Sequence, residues 1–310
     1  MSLQKSTRKY FCDNPYFDKK ILHYVHNDTF SEVIAMKKIG FIDYYLNEWH
    51  ADNYPEFIEK ASKGEYKVCY GYGEIDCPHG MTNKEWCEKY GVELCSTIDE
   101  VIEKSDVLIV LAPDNPETHV RLCEKALASG KRTYVDKTFA PDKKSAEIIF
   151  ANADAHGTPC YTTSALRFAA NYQALKKEGI KNIHSFGPGK TEIYSIHQIE
   201  PIVLMMGTEA KSVTFTGDSK YPSFVIEFEG DRFAEFSMKG DAFDMQIAYE
   251  DGEFQHIQAD DDFWDSFTQE LVDFFETGDV KVSHEETIAV MAIREAAIKS
   301  LEKPWTKINV

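Results

Sequence analysis

The length and the charge of the chain set the first limits on its function. Its 310 residues fit about two domains, and the 43% hydrophobic and 28% charged residues predict a globular protein with an ordinary core. With 34 basic and 52 acidic side chains the net charge is -18, which repels phosphate backbones and anionic lipid. We therefore expect neither nucleic acid nor a membrane surface as a partner.

Location and cysteine usage follow from the same composition. No apolar run is long enough to span a bilayer, and the N-terminus lacks the apolar core of a signal peptide, so we expect a cytoplasmic protein. The seven cysteines form no C-x-x-C pair, and an odd count favours reduced thiols over a disulfide framework. We expect no metal site.

The first 35 residues stand apart from the rest. They mix aromatic and charged residues without a period, and Met36 then opens MKKIGFI, which is typical of a natural protein start. Residues 1–35 are thus either an extension from an upstream misreading of the start codon or a structured arm that packs on a neighbour.

Strands and helices alternate from Lys38 to Gly157. In chain order the segments are KIGFI (38–42), EWHADNYPEFIEKAS (48–62), YKVCYGY (66–72), NKEWCEKYG (83–91), VELC (92–95), STIDEVIEKS (96–105), DVLIVLAP (106–113), PETHVRLCEKALASG (116–130), KRTYVDK (131–137) and DKKSAEIIFANADAHG (142–157). This alternation specifies a parallel sheet covered by helices, with a binding crevice at the strand C-termini. The sequence predicts a Rossmann-like, doubly wound α/β domain over residues 36–158.

The pattern changes after about residue 160. Runs with strand character, at 212–218, 222–240 and 244–258, are separated by Gly and Asp turns. Residues 159–310 are therefore predicted to form an α+β domain with a mainly antiparallel sheet. Asp260, Asp261 and Asp262 precede a helical pattern at 263–278, and we interpret this acidic triplet as its N-terminal cap.

Motifs in the predicted domains resemble a known family. The first domain contains Ala112-Pro113, then Asn115 and His119, then a helix that ends in ALASGK, then Asp136-Lys137-Thr138. Further segments follow, IYSIHQIEPIVLMMG (193–207) and EETIAVMAIREAAIKSLE (285–302). In this order they resemble the glucose-fructose oxidoreductase / inositol dehydrogenase (Gfo/Idh/MocA) family from Met36 to Val310.

The resemblance implies hydride transfer between NAD or NADP and a hydroxyl-bearing small molecule such as a sugar or cyclitol. Lys137 would polarise the substrate oxygen and His197 would be the general acid/base, although a strand-capping lysine and a structural histidine are the simpler interpretations. The residues implied on the nicotinamide side are Pro113, Asn115, His119 and Asp136. Those implied as substrate walls are Arg167 and Tyr194, with His184 as a further candidate; Arg167 and His184 are equally interpretable as structural or surface residues. The acid that commonly orients the family histidine is replaced by Ile193.

The phosphate-binding turn is the main departure from the family. A dinucleotide turn needs glycines for tightness and for close approach of the backbone to the pyrophosphate, but its three glycine places hold Asp43, Tyr45 and Glu48. The acid that binds the ribose hydroxyls at the end of the second strand is also not clearly present, because the candidate Glu74 comes several residues after that strand end. Two hypotheses follow: an oxidoreductase that holds its cofactor unusually, with Asp43 on a ribose or a metal and Tyr45 beside it, or a degenerate relative that binds a small ligand or a protein partner without redox turnover.

The resemblance also implies a homodimer or homotetramer through the sheet of the C-terminal domain. The sequence offers one supporting observation, because the apolar side chains on two predicted strands exceed what one face needs. These side chains are Phe224, Val225, Phe228, Phe233 and Phe236.

Overall fold

Two sheets organise the chain in the computed structural model, which describes residues 35–260 and 262–310. The strands are β1 (Lys37–Asp43), β2 (Tyr66–Gly73), β3 (Glu93–Leu94), β4 (Val107–Val110), β5 (Thr133–Val135), β6 (Cys160–Tyr161), β7 (Ile180–Gly187), β8 (Ala210–Phe215), β9 (Ser223–Phe228), β10 (Arg232–Met238), β11 (Asp244–Tyr249), β12 (Phe254–Gln258) and β13 (Ile308–Asn309). The α-helices are α1 (Trp49–Ala61), α2 (Asn83–Tyr90), α3 (Ile98–Lys104), α4 (His119–Ala128), α5 (Lys143–His156), α6 (Ala170–Gln173), α7 (Thr191–Tyr194), α8 (Ile196–Met206), α9 (Phe263–Thr277) and α10 (His284–Ser300). The predicted extension at 1–35 lies outside the described residues except for Ala35.

The first sheet is parallel, with the order β3-β2-β1-β4-β5-β6 over the described residues. Strand β4 in the middle of the sheet is buried on both faces, as its continuous apolar run requires. Leu108 and Val110 face one core, whereas Ile109 and Leu111 face the other. This alternation confirms the predicted doubly wound α/β fold.

The second sheet is mainly antiparallel, with the order β12-β11-β7-β10-β9-β8-β13 over the described residues. Only the β7–β10 pair in it is parallel. The apolar side chains that the sequence predicts to exceed one face are divided between two faces by alternation along the strands. Phe224, Phe228 and Phe236 are buried, whereas Val225 and Phe233 lie on the opposite, more open face.

Helix α9 brings a late segment of the chain back to the first sheet. Its Phe267 ring lies 5.8 Å from Tyr54 of α1, and its Phe275 ring lies 5.7 Å from Tyr66 of β2. One apolar core thus contains α1, the first sheet and α9. This packing places the N-terminus of α9 beside the N-terminus of α1, while the domain boundary at residue 158 stays a prediction.

The two described acidic residues before α9, Asp260 and Asp262, do not cap it through their side chains as predicted. Asp262 precedes the helix but accepts no capping hydrogen bond through its side chain. The Asp260 carboxylate instead accepts from the backbone N–H of Asn171 at 2.9 Å, and Asp261 lies outside the described residues. The Asp260 side chain, which we assigned to the helix cap, therefore binds the backbone of a neighbouring segment instead.

Cysteines, metal ligands and apolar helices can be surveyed only over the described residues. In that part of the chain Cys69, Cys77, Cys87, Cys95, Cys123 and Cys160 are free thiols. No cluster of three or more His, Cys, Asp or Glu side chains there is arranged to hold a metal ion. None of the helices between residues 35 and 310, residue 261 aside, combines the length and the apolar character that crossing a membrane requires.

Candidate active site

The N-terminus of helix α1 is closed by a side chain of the chain itself. Glu48 is its N-cap residue, and its carboxylate accepts hydrogen bonds from the backbone N–H groups of His50, at 2.8 Å, and of Ala51. Free N–H groups and the helix dipole make a helix N-terminus an anion site. In this protein that anion site is filled by a carboxylate from the same chain.

A cavity of about 340 Å³ opens beside this cap, within the size range of small-molecule sites. Elements from both sheets contribute to it, because α1, the loops after β4 and β5, and helices α7 to α9 meet there. The residues that line it are Glu48, Trp49, His50, Tyr54, Pro113, Asp114, Lys137, Thr163, Ala165, Leu166, Ile193, Tyr194, His197, Phe243, Phe263 and Trp264. Four of the predicted site residues are among them: Lys137, His197, Pro113 and Tyr194.

Lys137 follows strand β5 and is only 9% exposed. Its peptide bond to Thr138 is cis. Among residues 35–260 and 262–310, no oxygen accepts a hydrogen bond from its ammonium group and no carboxylate pairs with it within 4.0 Å. A nearly buried ammonium costs several kcal/mol unless it is compensated, so the cavity that it faces is the natural place for an acceptor.

His197 is the second residue of helix α8. Its Nδ1 lies 2.7 Å from Oγ of Ser164. The backbone N–H of Ser164 in turn donates to the Glu200 carboxylate at 2.7 Å. Burial, followed by the charge of Lys137, lowers the pKa of His197 well below its usual value. At neutral pH the ring is therefore a neutral group that can exchange a proton.

A second buried polar group lies on the opposite side of the cavity. Nδ1 of His50 lies 3.1 Å from Oδ2 of Asp136 and 3.3 Å from Oε2 of Glu48, although neither contact has the angles of an aligned hydrogen bond. Asp136 is fully buried and accepts a hydrogen bond from the Tyr54 hydroxyl at 3.0 Å. Burial raises the pKa of Glu48 to about 7 and lowers the pKa of His50 to about 4.

Aromatic side chains form two walls of the cavity. On one side the rings of Trp49 and Trp264 are 4.9 Å apart. On the other side His197 makes edge contacts with Tyr194 at 5.4 Å and with Phe243 at 5.6 Å. Apolar walls around a few convergent polar groups are typical of a small-molecule site.

Comparison with known proteins identifies the architecture. No protein-family model matches the sequence, and no curated protein is similar to it in sequence. A probable dehydrogenase from Thermotoga maritima superposes with a TM-score of 0.70 at 16% identity, over 88% of this chain and 98% of that chain. The myo-inositol 2-dehydrogenase of Lactobacillus plantarum gives 0.72 at 12% identity, over 89% and 99%. The scyllo-inositol dehydrogenase of Lactobacillus casei with bound NAD(H) and scyllo-inositol gives 0.70 at 16% identity, over 88% and 99%.

The chain has the Gfo/Idh/MocA dehydrogenase fold. In a Rossmann-like sheet the pyrophosphate of a dinucleotide lies on the N-terminus of the first helix, and the ribose hydroxyls meet an acid after the second strand. The residues at both places of this Gfo/Idh/MocA fold can therefore be tested against such a ligand.

A dinucleotide in that position does not fit the residues present. The pyrophosphate place on α1 holds the Glu48 carboxylate. The ribose acid of the prediction, Glu74, forms an ion pair of 2.7 Å with Arg121, whose guanidinium covers the ring of Tyr44 at 5.7 Å. Both polar contacts that a dinucleotide would need are thus made within the protein.

Two predicted residues of the turn are also not placed for a ligand. Asp43 is 1% exposed, and its carboxylate accepts from the backbone N–H of Tyr44 at 2.6 Å. Burial and then the nearby charge of Glu48 raise the pKa of Asp43 well above its usual value. The ring of Tyr45 is tilted against that of Tyr44, with centroids 5.7 Å apart, and does not line the cavity.

Other predicted residues have partners within the fold. His119 is fully buried, with Nδ1 2.9 Å from the carbonyl of Phe139 and Nε2 on the carbonyl of Leu111. It therefore connects two loops and does not reach the cavity. The Asn115 side chain donates to Glu117 at 3.3 Å near the surface.

The residues predicted as substrate walls, other than Tyr194, also have partners within the fold. Arg167 is buried in ion pairs with Glu286 and, at 3.7 Å, with Glu200, so it has the structural role that the sequence left open. His184 lies on strand β7 beside Glu235, 3.3 Å away on the open face of the second sheet. Asp136 does not line the cavity, and its Oδ2 lies 3.1 Å from Nδ1 of His50.

Sequence reasoning missed most of the residues beside α1. Glu48 was considered only as a replaced glycine, and Trp49 and His50 only as part of a helical pattern. An acid directly before a helix is a usable signal for a cap. No comparable signal connects Trp264 to Trp49, because helix packing between distant segments creates that contact.

Proposed function

We propose that the cavity binds a small hydroxyl-bearing molecule and that Lys137 and His197 exchange protons with it, with no dinucleotide in the conventional position. The observation that carries the proposal is that Lys137, nearly buried and without an acceptor in the described part of the chain, lines one cavity with His197. An oxygen of the ligand would supply the missing acceptor. The Glu48 cap supports the second half of the proposal, because it fills the anion site of α1.

The walls of the cavity suit a ring-shaped ligand. Trp49 and Trp264 offer flat apolar surfaces, while Asp114 and Thr163 add polar groups to the lining. A sugar or a cyclitol presents C–H faces to aromatic rings and hydroxyl edges to polar groups. We propose this class of ligand for the chain.

The chemistry that this arrangement allows is acid/base catalysis. The Lys137 ammonium would polarise a ligand oxygen, and the neutral His197 ring would exchange a proton with it. The pKa of Glu48, raised to about 7 by burial, gives the cavity a third group that can change protonation near neutral pH. Lyase, isomerase and hydrolase reactions all use such groups.

Hydride transfer between NAD or NADP and the hydroxyl-bearing ligand is the second candidate. It is supported by the presence of Lys137 and His197 in one cavity of a fold that an NAD(H)-bound scyllo-inositol dehydrogenase shares. Against it stand the Glu48 cap and the Glu74–Arg121 ion pair. An absorbance increase from reduced nicotinamide, when NAD or NADP is added to the protein with a bound cyclitol, would establish this candidate.

Calorimetric titration with scyllo-inositol, myo-inositol and glucose tests the primary proposal. We expect saturable binding of at least one compound, and a loss of about tenfold or more in Lys137→Met, since a hydrogen bond to a charged group contributes about 1.5–3 kcal/mol. The matched control is Lys177→Met, which removes an exposed lysine far from the cavity and should bind as the wild type does. No binding by any of the three compounds, or equal affinity in Lys137→Met, would refute it.

We also propose a cytoplasmic homodimer or homotetramer that associates through the open face of the second sheet. The half-exposed Phe233 and the neighbouring Val225 support this proposal. Light scattering of wild type and Phe233→Glu tests it: the variant should dissociate, and a monomeric wild type would contradict it.

A further inference from the structure

His50 has two different nitrogen environments at the floor of the cavity. The ring is 6% exposed, and Nδ1 lies 3.1 Å from Asp136 and 3.3 Å from Glu48. Within residues 35–260 and 262–310, no group hydrogen-bonds Nε2, and the residue lines the cavity. One nitrogen therefore faces carboxylates and the other is available to a ligand.

The carboxylate behind His50 is held rigidly. Asp136 is 0% exposed, and its Oδ1 accepts hydrogen bonds from the hydroxyls of Tyr54 at 3.0 Å and of Tyr134 at 3.3 Å. Its Oδ2 remains for Nδ1 of His50. The contact is not aligned as a hydrogen bond, but a carboxylate oxygen 3.1 Å from Nδ1 favours the proton on that nitrogen, which leaves the lone pair of the ring on Nε2.

A purely structural histidine would explain part of this arrangement. A buried imidazole can fill space between α1 and β5, and the edge contact with Trp49 at 5.2 Å is consistent with packing. Packing does not explain why Nε2 of His50 and the ammonium of Lys137, on two residues that line the same cavity, both lack a hydrogen-bond partner among the described residues. Two unsatisfied groups of opposite chemical character, a base and an acid, are what a polarised ligand would pair with.

We propose that His50 is a catalytic base that removes a proton from the carbon next to the carbonyl of a hydroxy-carbonyl ligand, with Asp136 as its positioning residue. This inference rests on the proposed function, because it uses the same ligand cavity and the same Lys137. It assigns an isomerase type of reaction to the segment that replaces the dinucleotide turn.

The proposed step balances without any further reactant. Nε2 takes the proton as the C–H bond breaks, and the electron pair forms a carbon–carbon double bond while the carbonyl oxygen becomes an enolate. The Lys137 ammonium stabilises that oxygen. The imidazolium then returns a proton to the same carbon, or it protonates the former carbonyl carbon while the proton of the neighbouring hydroxyl moves to the former carbonyl oxygen. In the second case the hydroxyl and the carbonyl exchange places, so that nothing is oxidised or reduced overall.

The charges around His50 allow it to act as a base at neutral pH. Burial lowers its pKa to about 4, the Asp136 carboxylate opposes that shift, and the Lys137 charge adds to it. Glu48 and Asp114 also face the ring from α1 and from the loop after β4, and Tyr54 faces it from α1. A ligand that draws Lys137 toward its carbonyl oxygen would raise the basicity of His50 when it is needed.

Deuterium exchange tests the inference without knowledge of the natural substrate. Dihydroxyacetone, D-fructose and scyllo-inosose are the probes; their binding is measured by calorimetry, and exchange of their C–H groups in D₂O is followed by proton NMR. We expect a bound probe to exchange and His50→Gln to slow the exchange by about 10²–10⁴-fold, with its dissociation constant within about threefold of the wild type. The control variant His156→Gln, at the exposed C-terminal end of α5, should exchange at the wild-type rate.

A second measurement distinguishes a positioning role of Asp136 from a purely structural role. In ¹⁵N NMR spectra of the wild type, His50 should carry its proton on Nδ1. Asp136→Asn should shift the proton toward Nε2 and slow the exchange, and Asp136→Glu should restore both. This spectrum also decides the case if His50→Gln does not fold, because a wild-type ring protonated on Nε2 would overturn the inference.

The outcomes distinguish the two proposals. If none of the three probes nor any of the cyclitols binds, the proposed function fails and this inference fails with it. If a probe binds but its C–H groups do not exchange, or exchange equally fast in His50→Gln, the inference alone is refuted and the binding function stands.

Discussion

The hydroxyl of Ser164 lies 2.7 Å from Nδ1 of His197. The same oxygen accepts from the backbone N–H of Leu166 at 3.3 Å, so its own proton is available to the imidazole. That assignment places the N–H of His197 on Nε2, toward the cavity. His197 would then donate to a ligand oxygen, whereas His50 would accept a proton.

Ser164→Ala tests this relationship. Loss of the hydroxyl leaves Nδ1 without a partner, and a net hydrogen bond contributes about 0.5–1.5 kcal/mol. We expect the affinity for a cyclitol to fall by about two- to tenfold, measured by calorimetry. The ¹⁵N spectrum of His197 should at the same time show a mixture of tautomers, and an unchanged spectrum would contradict the assigned role of Ser164.

Lys137→Met should change the titration of both histidines. The charge of Lys137 lowers the pKa of His197 and the pKa of His50, so its removal should raise both pKa values. Proton NMR of the imidazole resonances across the pH range measures the change. The exposed Lys177→Met should leave both titrations where they are, and equal titrations in the two variants would show that Lys137 is remote from the rings.

Glu48 should make the protein less stable as the pH rises toward neutrality. Its pKa is raised from 4.5 to about 7 in the folded protein by burial, so the folded state binds more protons than the unfolded state between these two pH values. Its favourable contribution is therefore complete below about pH 4.5 and is lost as the pH rises through about 7. The loss should be of the order of 1–3 kcal/mol.

Urea unfolding of wild type and Glu48→Gln at about pH 5 and about pH 8 isolates this contribution. The variant should lose about 0.5–2 kcal/mol at the lower pH through a weaker cap and should show a smaller decline toward the higher pH. Because Glu200, whose pKa is raised to about 6, also titrates in this window, only the difference between the two proteins is informative. Parallel curves would show that Glu48 ionises as an exposed carboxylate does.

Trp49→Phe tests the aromatic wall. Trp49 is 50% exposed and its ring lies 4.9 Å from Trp264, so a smaller ring should remove ligand contact while the core remains packed. We expect affinity for a cyclitol to fall by about two- to tenfold, from the roughly 0.5–1.5 kcal/mol of an aromatic contact. Trp305→Phe, at a 74% exposed site, is the control, and equal affinities in the two variants would remove Trp49 from the binding surface.

The sequence could predict the parts of this protein that depend on local pattern. The apolar run of β4 and the helix that ends before Gly157, at φ 62°, carry their own signals of burial and termination. Lys137 and His197 could be predicted as neighbours because each follows a motif whose order along the chain resembles the family.

The rest depends on contacts between distant segments. His50 and Asp136 are 86 positions apart in the sequence, and nothing in either local pattern shows that the first turn of α1 faces the end of β5. His119 was assigned to the cofactor from its motif, yet two backbone carbonyls bind its ring. Whether a polar residue serves a ligand or its own backbone is decided by burial and by partners, which periodicity does not report.

Titration with NADH and NADPH tests the central claim, that Glu48 replaces the phosphate of a dinucleotide on helix α1. A ligand at 100 times its dissociation constant stabilises the folded state by about 2.7 kcal/mol, so calorimetry and thermal unfolding at about 1 mM dinucleotide would detect a dissociation constant of about 10 μM. The account predicts no saturable heat and no rise in melting temperature with either dinucleotide. Saturable binding in the micromolar range, unaffected by Glu48→Gln, would contradict it.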